Sequence, residues 1–318
     1  MGNYHGTSSR YITVLEGLQD ALEGQARVLY AEGSHLFKDC IEPLSQPNDG
    51  IAEALSVAER SDAVVLVVGL DETLEGEEGD TGNAAASGDK ADLLLPEGQR
   101  ALMDAVLDTG KPTVIVLMAG SAIDLGTAAD RANAVLLAWY PGARGGRTVA
   151  DILLGRVSPS GKLPVTFYRN EQLAAMPDFT DYAMTGRTYR YIEDEPLYPV
   201  GYGLTYCDCY IDARRVEGGV EAELVNEGPI DTDEVVQVYV QNEGSVHAPR
   251  NPRLCAFKRV HIPAGGFATV TLEIPAERLK VVDDQGRWID EGTPVFYVGF
   301  GQPDARTAEL TGKKCIRI

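Results

Sequence analysis

Glu75, Glu77, Glu78 and Asp80 place four carboxylates within six residues, in the stretch Leu74-Glu75-Gly76-Glu77-Glu78-Gly79-Asp80. Carboxylates crowded at a partly buried mouth suit general acid/base chemistry. Burial and like-charge neighbours raise the pKa of one of them until it carries a proton near neutrality. The competing reading is a solvated charge run, which asks nothing of the fold. The preceding residues bear on the choice. Ala63-Val64-Val65-Leu66-Val67-Val68 is a run of six apolar, mostly β-branched residues. It predicts a strand buried on both faces, central in a parallel sheet. The acidic stretch would then leave the strand's carboxyl end, where open α/β sheets place their ligands.

The rest of the first half supplies the elements such a sheet needs. Residues 13–22 have helical spacing, with Thr13 as N-cap and Glu16 three residues on, the spacing of a capping box. A short strand is expected over 26–30 and a helix over 51–58. A further helix starts at Pro96 and buries Leu102, Ala105 and Val106, as proline favours the first turn. Gly110-Lys111-Pro112 ends it. Residues 113–118 and 135–138 read as two more buried strands, and 146–154 as a helix. Strand and helix alternating in this way imply right-handed crossovers and a mainly parallel sheet. The expected class is an α/β layered sandwich domain.

After Cys209 the period changes to two, in short runs at 220–225, 235–240, 267–274 and 295–298 separated by turn residues. About seven strands in roughly 110 residues describe an immunoglobulin-like or fibronectin-like sandwich. The expected organisation is an α/β domain over 1–165, an extended Pro- and Tyr-rich linker over 166–207 that packs on its neighbours, and an all-β domain over 208–318. If that linker were left uncovered, its aromatic residues would favour self-association, and a homo-oligomer stays open.

A formal charge of −20 argues against nucleic acid and anionic membrane surfaces as partners, since both require a basic footprint. No apolar run reaches 18 residues, so no spanning helix is expected. Cys40, Cys207, Cys209, Cys255 and Cys315 fit neither zinc spacing nor a C-x-x-C pair, which points to reduced thiols and a cytoplasmic setting. Cys207 and Cys209 read as alternating strand residues. His5, His35, His247 and His261 are scattered, and no metal or cofactor is expected. Gly142-Ala143-Arg144-Gly145-Gly146-Arg147 lacks phosphate-loop spacing and reads as a tight turn where helix meets sheet. Asp283 and Asp284 suit a turn. Trp139 and Trp288 could stack on sugar rings, but both are expected in the core.

Four motifs are more specific: Trp139-Tyr140-Pro141-Gly142, Pro159-Ser160-Gly161-Lys162-Leu163-Pro164-Val165-Thr166-Phe167, Pro196-Leu197-Tyr198-Pro199-Val200-Gly201-Tyr202-Gly203-Leu204-Thr205-Tyr206 and Leu254-Cys255-Ala256-Phe257-Lys258-Arg259-Val260. In this order they resemble the carboxyl-terminal half of glycoside hydrolase family 3. Gly186-Arg187-Thr188-Tyr189-Arg190-Tyr191 resembles its β-xylosidase and related β-glucosidase branch. The resemblance implies an α/β sandwich followed by a fibronectin type III-like domain. It also implies retaining, exo-acting hydrolysis of terminal β-linked sugars in oligosaccharides or aryl glycosides.

In that family an aspartate on an amino-terminal (β/α) barrel is the nucleophile, and a glutamate of the sandwich domain is the acid/base. Retention sets the two carboxyl groups roughly 5–5.5 Å apart. The glutamate precedes an Asp-Arg pair and a Leu-x-Leu-Pro segment. Here Asp89-Lys90-Ala91-Asp92-Leu93-Leu94-Leu95-Pro96 matches the latter part, with Lys for Arg and extra small residues around 82–88. Glu75-Gly76-Glu77 reads like the Glu-Ala-Glu of the xylosidase branch. The resemblance therefore favours Glu77 as acid/base, then Glu78, with Glu75 last. It offers no nucleophile in this chain. Gly2-Asn3-Tyr4-His5-Gly6 resembles a segment already inside the sandwich, so a barrel and a first strand would be supplied elsewhere and the chain alone is expected to be inactive. The alternative is a non-catalytic carbohydrate-binding or scaffolding module.

Overall fold

Parallel strands joined through helices need those helices packed on both sheet faces, and the first unit is built around this demand. The structure, a computed structural model, describes residues 2, 4–40, 42, 44–76 and 90–318. It divides into two units, residues 1–154 and 155–318.

In chain order the first unit contains α1 (Val14–Ala21), α2 (Asp49–Glu59), β1 (Val64–Gly69), α3 (Glu97–Asp108), β2 (Thr113–Met118), α4 (Thr127–Arg131), β3 (Ala134–Leu137) and α5 (Gly145–Leu153). The strands form a parallel sheet in the order β1-β2-β3, with Leu66 opposite Ile115 and Ile115 opposite Val135. Thr13 caps α1, its hydroxyl accepting from the Glu16 amide at 3.2 Å. On one face Leu66, Val68, Ile115 and Leu117 pack with Leu102, Met103 and Val106 of α3. On the other, Val116 packs with Val14, Leu18, Val149 and Ala150 of α1 and α5. Gln99 of α3 is buried and ties the helix to the last residue of β1. Its Oε1 accepts from the Gly69 amide and its Nε2 donates to the Gly69 carbonyl, both at 2.8 Å.

Two strand expectations are corrected here, for residues 63–68 and for 26–30. β1 lies at the edge of the described sheet and is covered on one face only. Val65 and Val67 are 36% and 43% exposed, because α1 and α5 lie over β2 and β3 and stop short of β1. Val135 of β3 is also exposed. Residues 26–30 form no strand; they pair with no neighbour as a ladder. The glycine-rich turn before α5 serves helix packing: a Cβ on Gly146 would sit 2.0 Å from the Thr13 carbonyl oxygen, so glycine lets α5 meet the start of α1.

The second unit contains α6 (Thr188–Tyr191), β4 (Cys209–Val216), β5 (Gly219–Asn226), β6 (Thr232–Glu243), β7 (Arg253–Ile262), β8 (Phe267–Glu273), β9 (Val281–Val282), β10 (Trp288–Ile289), β11 (Thr293–Gly299), α7 (Ala305–Thr311) and β12 (Ile316–Arg317). Sheets ordered β12-β11-β6-β7 and β4-β5-β8 form the sandwich, and β9-β10 is a small ribbon. Alternation drives it: Val220, Ala222 and Leu224 of β5 point inward against Val236, Val238 and Val240 of β6. The Pro- and Tyr-rich segment groups with this unit. Gly201 accepts from Gln237 at 3.0 Å, and Asn251 donates to the carbonyls of Tyr189 and Ile192. Trp288, expected in the core, is 62% exposed on β10, since the ribbon stands outside both sandwich sheets.

Lys162 and Glu234 form a buried ion pair at 2.8 Å, their side chains 8% and 5% exposed. Lys162 also donates to the Gly203 carbonyl at 2.6 Å. Replacing Lys162 with Met strands a buried carboxylate, and urea unfolding should register a loss of about 3–5 kcal/mol. Lys162→Met with Glu234→Leu should recover most of it; a double variant as unstable as the single one would show that the pair's charge is not what matters.

His247 lies 3.0 Å from Glu291 through Nδ1 and 3.8 Å from Asp284 through Nε2. The hydrogen bond to Glu291 raises its pKa above the ordinary 6.5, with desolvation opposing it and the charges of Glu291, Asp284 and Asp283 adding to it. The stabilisation from a raised histidine is complete below the unfolded value and is lost as pH rises through the folded one. An NMR titration should place the His247 midpoint above 6.5, and Glu291→Gln should lower it.

Candidate active site at the strand ends

β1 ends at Gly69, and the chain turns at once. Asp71 builds the turn: its Oδ1 accepts from the Thr73 amide at 2.9 Å and its carbonyl from the Glu75 amide at 2.8 Å. Leu74 is buried beneath it, which aims Glu75 across the carboxyl ends of the other strands.

Three donors converge on Glu75. Oε2 accepts from the Gly120 amide at 2.7 Å and from the Tyr140 hydroxyl, while Oε1 accepts from the Ser121 hydroxyl. Gly120 and Ser121 follow β2 and Tyr140 follows β3, so one carboxylate joins the ends of all three strands. A Cβ at Gly120 would lie 2.5 Å from the Tyr140 ring, so only glycine lets ring and amide reach the same oxygen. Burial, then the hydrogen bond to Glu75, pushes the Tyr140 phenol well above its usual range. It stays a donor at any ordinary pH. Gly2 lies against the Tyr140 ring, and His5 approaches Glu72 at 3.5 Å.

Lys90 closes the group from the other side. Burial lowers its pKa, opposed by the charges of Glu75 and Asp92. Its Nζ is buried with no hydrogen-bond partner among the described residues. Glu75, before residues 77–89, and Lys90, after them, are thus close enough for their charges to interact. Glu77 and Glu78, the first and second choices for the acid/base, lie outside the described residues with Asp80, Asp89 and the small residues of 82–88.

This geometry gives Glu75 a positioning role. A general acid must aim a proton at a leaving group, whereas both oxygens of Glu75 accept from protein donors. Sequence reasoning ranked Glu75 last but missed Gly120, Ser121 and the tyrosine hydroxyl. The available signal was their position, each one to three residues beyond an apolar run. Trp139, beside Tyr140, is half-buried and adopts φ +50°, a left-handed backbone uncommon for a bulky residue.

The second unit has a cavity of about 280 Å³ beside the Lys162–Glu234 pair, lined also by Cys207, Cys209 and Cys315. Burial pushes the Cys209 and Cys315 thiols up to about 11 and about 12, so neither is a ready nucleophile. All five cysteines are free. Among the described residues, no three His, Cys, Asp or Glu side chains are placed to hold a metal ion, and no helix is long and apolar enough to cross a membrane.

A parallel α/β sheet is followed in sequence by an antiparallel sandwich, and the sequence comparisons place a chain with this order of domains in a known family. Residues 1–206 match the glycosyl hydrolase family 3 C-terminal domain and residues 234–302 a fibronectin type III-like domain; the chain belongs to glycosyl hydrolase family 3. It is 31% identical to a beta-xylosidase of Formosa agariphila over 98% of this chain and 43% of that protein. It is likewise 31% identical to a periplasmic beta-glucosidase of Salmonella typhimurium over 96% of this chain and 43% of the other. A beta-glucosidase from Listeria innocua, solved in complex with isofagomine, superposes on the whole chain with a TM-score of 0.78 at 25% identity, using 43% of its own length. The chain spans less than half the length of each of these proteins.

Glu75→Ala leaves the Gly120 amide and the Ser121 and Tyr140 hydroxyls without their acceptor. Chemical denaturation should show the first unit losing about 0.5–1.5 kcal/mol, the net worth of hydrogen bonds among partly exposed groups that water can reach. A change below a few tenths would mean that water replaces the carboxylate without penalty.

Proposed function

We propose that this chain is the carboxyl-terminal portion of a retaining, exo-acting β-glycosidase, a β-xylosidase first and a β-glucosidase second, and that Glu77 is its general acid/base. The observation that carries the reading is the convergence of three strand ends on Glu75, two residues before Glu77. It fixes the start of the acidic stretch at the carboxyl mouth of the sheet, where a ligand-facing carboxylate belongs. The relatives named above support the reaction class and both sugar classes.

In this scheme Glu77 donates its proton to the glycosidic oxygen while an aspartate on an amino-terminal (β/α) barrel attacks the anomeric carbon. Glu77 then takes a proton from the water that hydrolyses the glycosyl-enzyme ester. One carboxylate cannot perform both roles in double displacement. The 318-residue chain should therefore not hydrolyse aryl β-xyloside or aryl β-glucoside by itself, and should do so when joined to, or mixed with, a matching family barrel.

The assignment has a kinetic signature. In the barrel-complemented enzyme, Glu77→Ala should slow substrates with poor leaving groups by about 10²–10⁴-fold, the usual worth of general acid/base catalysis. Activated aryl glycosides should be far less affected, and azide should restore part of the turnover as glycosyl azide. Should Glu78→Ala give that pattern and Glu77→Ala not, the role passes to Glu78.

A further inference from the structure

Trp288 is the large aromatic residue whose placement the proposed reaction does not use. It stands 62% exposed on β10, directly opposite Val282 of β9, itself 42% exposed. Paired residues of an antiparallel ribbon share a face, so ring and valine form one apolar step. The alternation continues for another residue on each strand, bringing Lys280 and Asp290 to the same face as an ion pair at 3.8 Å, with Asp290 82% exposed.

The surrounding structure holds this ribbon rigid. At its base, Asn242 donates to the carbonyls of Leu279 and Glu291 at 2.7 and 3.1 Å, and Arg253 to those of Arg278 and Lys280 at 2.5 and 2.7 Å. At its tip, Asp283 accepts from the amides of Gln285 and Arg287 and from the Arg287 guanidinium. His247 approaches Asp284 from the side. A tryptophan presented on so fixed a support loses little freedom when a ligand covers it.

We propose that the Trp288 face is a binding platform for a neutral β-linked polysaccharide. The indole offers a flat apolar surface to the C–H face of a pyranose ring, while Asp290 and Lys280 supply an acceptor and a donor for the equatorial hydroxyls beside it. The charge balance selects the polymer. Lys280 and Asp290 pair with each other, Asp284 adds an exposed negative charge at the ribbon's tip, and a chain of net charge −20 disfavours acidic polysaccharides and nucleic acids. The choice of a β-linked chain rests on the glycosidase reading above.

The test is affinity gel electrophoresis of the 318-residue chain in gels containing soluble neutral xylan, soluble β-glucan, dextran or polygalacturonate. Xylan or β-glucan should retard the native chain, and dextran and polygalacturonate should not. Trp288→Ala should weaken retardation by about two- to tenfold in apparent Kd, the scale of one lost aromatic contact, and Trp288→Phe should keep most of it. In heteronuclear NMR, added xylotetraose should shift the Trp288 indole N–H and leave that of Trp139 in place. Equal mobility in every gel, or undiminished retardation of Trp288→Ala, overturns the site. So does a concentration-dependent dimer in sedimentation that Trp288→Ala abolishes, because the occupant is then a second copy of the chain. Aryl glycoside hydrolysis in the barrel-complemented enzyme reads the glycosidase proposal separately: a chain that hydrolyses without being retarded loses only this platform.

Discussion

The first unit depends on one carboxylate. Glu75 accepts from a backbone amide and two hydroxyls that follow two different strands, and it is itself delivered by a turn at the end of the third. Without an acceptor there, the part-buried Tyr140 hydroxyl would lose its partner and the exposed Gly120 amide would turn to water. Other features follow from meeting that requirement. Gly120 has to be glycine to admit the ring, Tyr140 stays protonated, and Lys90 brings a positive charge to a group that already holds the carboxylates of Glu75 and Asp92. The acidic stretch thereby gains a fixed origin.

The second unit solves a comparable problem with a different pair. Lys162 comes from the Ser160-Gly161-Lys162 motif and Glu234 from β6, and neither is accessible to water in any quantity. Their attraction in a low-dielectric interior is opposed by the cost of removing both from solvent, so the pair contributes placement more than stability. It pins the segment before β4 to the sandwich, a task shared by Gln237, Asn251 and the Ser158–Thr232 hydroxyl pair. The aromatic segment that reads as a linker in sequence is thus part of a packed unit, although Phe179 and Tyr182 remain exposed on it.

Periodicity made much of this legible. β2 is as deeply buried as its apolar run implies, Thr13 caps α1, and the period-two runs after Cys209 become the two sheets of the sandwich. What failed was any inference about which neighbours cover a residue. The apolar run at 63–68 carries no record that α1 and α5 stop short of β1, so Val65 and Val67 read as core and are not. Trp288 misled in the same way, since hydrophobicity alone does not distinguish a core residue from one on an outlying ribbon. At the candidate site, the acidic cluster was visible as composition, but the division of labour within it was not. Glu75 takes its role from partners 45 to 65 residues further along the chain, which composition does not record.

Those separations bear on the order in which the molecule assembles. The hydrogen bonds from Gly120, Ser121 and Tyr140 close loops of 45, 46 and 65 residues. Each closure costs chain entropy that local contacts do not offset, and non-local pairings of this kind slow folding. The helices can form from neighbouring residues, but the Glu75 junction requires all three strands to be in register. The loops it closes are comparable with the one the β1–β2 pairing itself closes, so the junction belongs with the assembly of the sheet and cannot form from the helices alone.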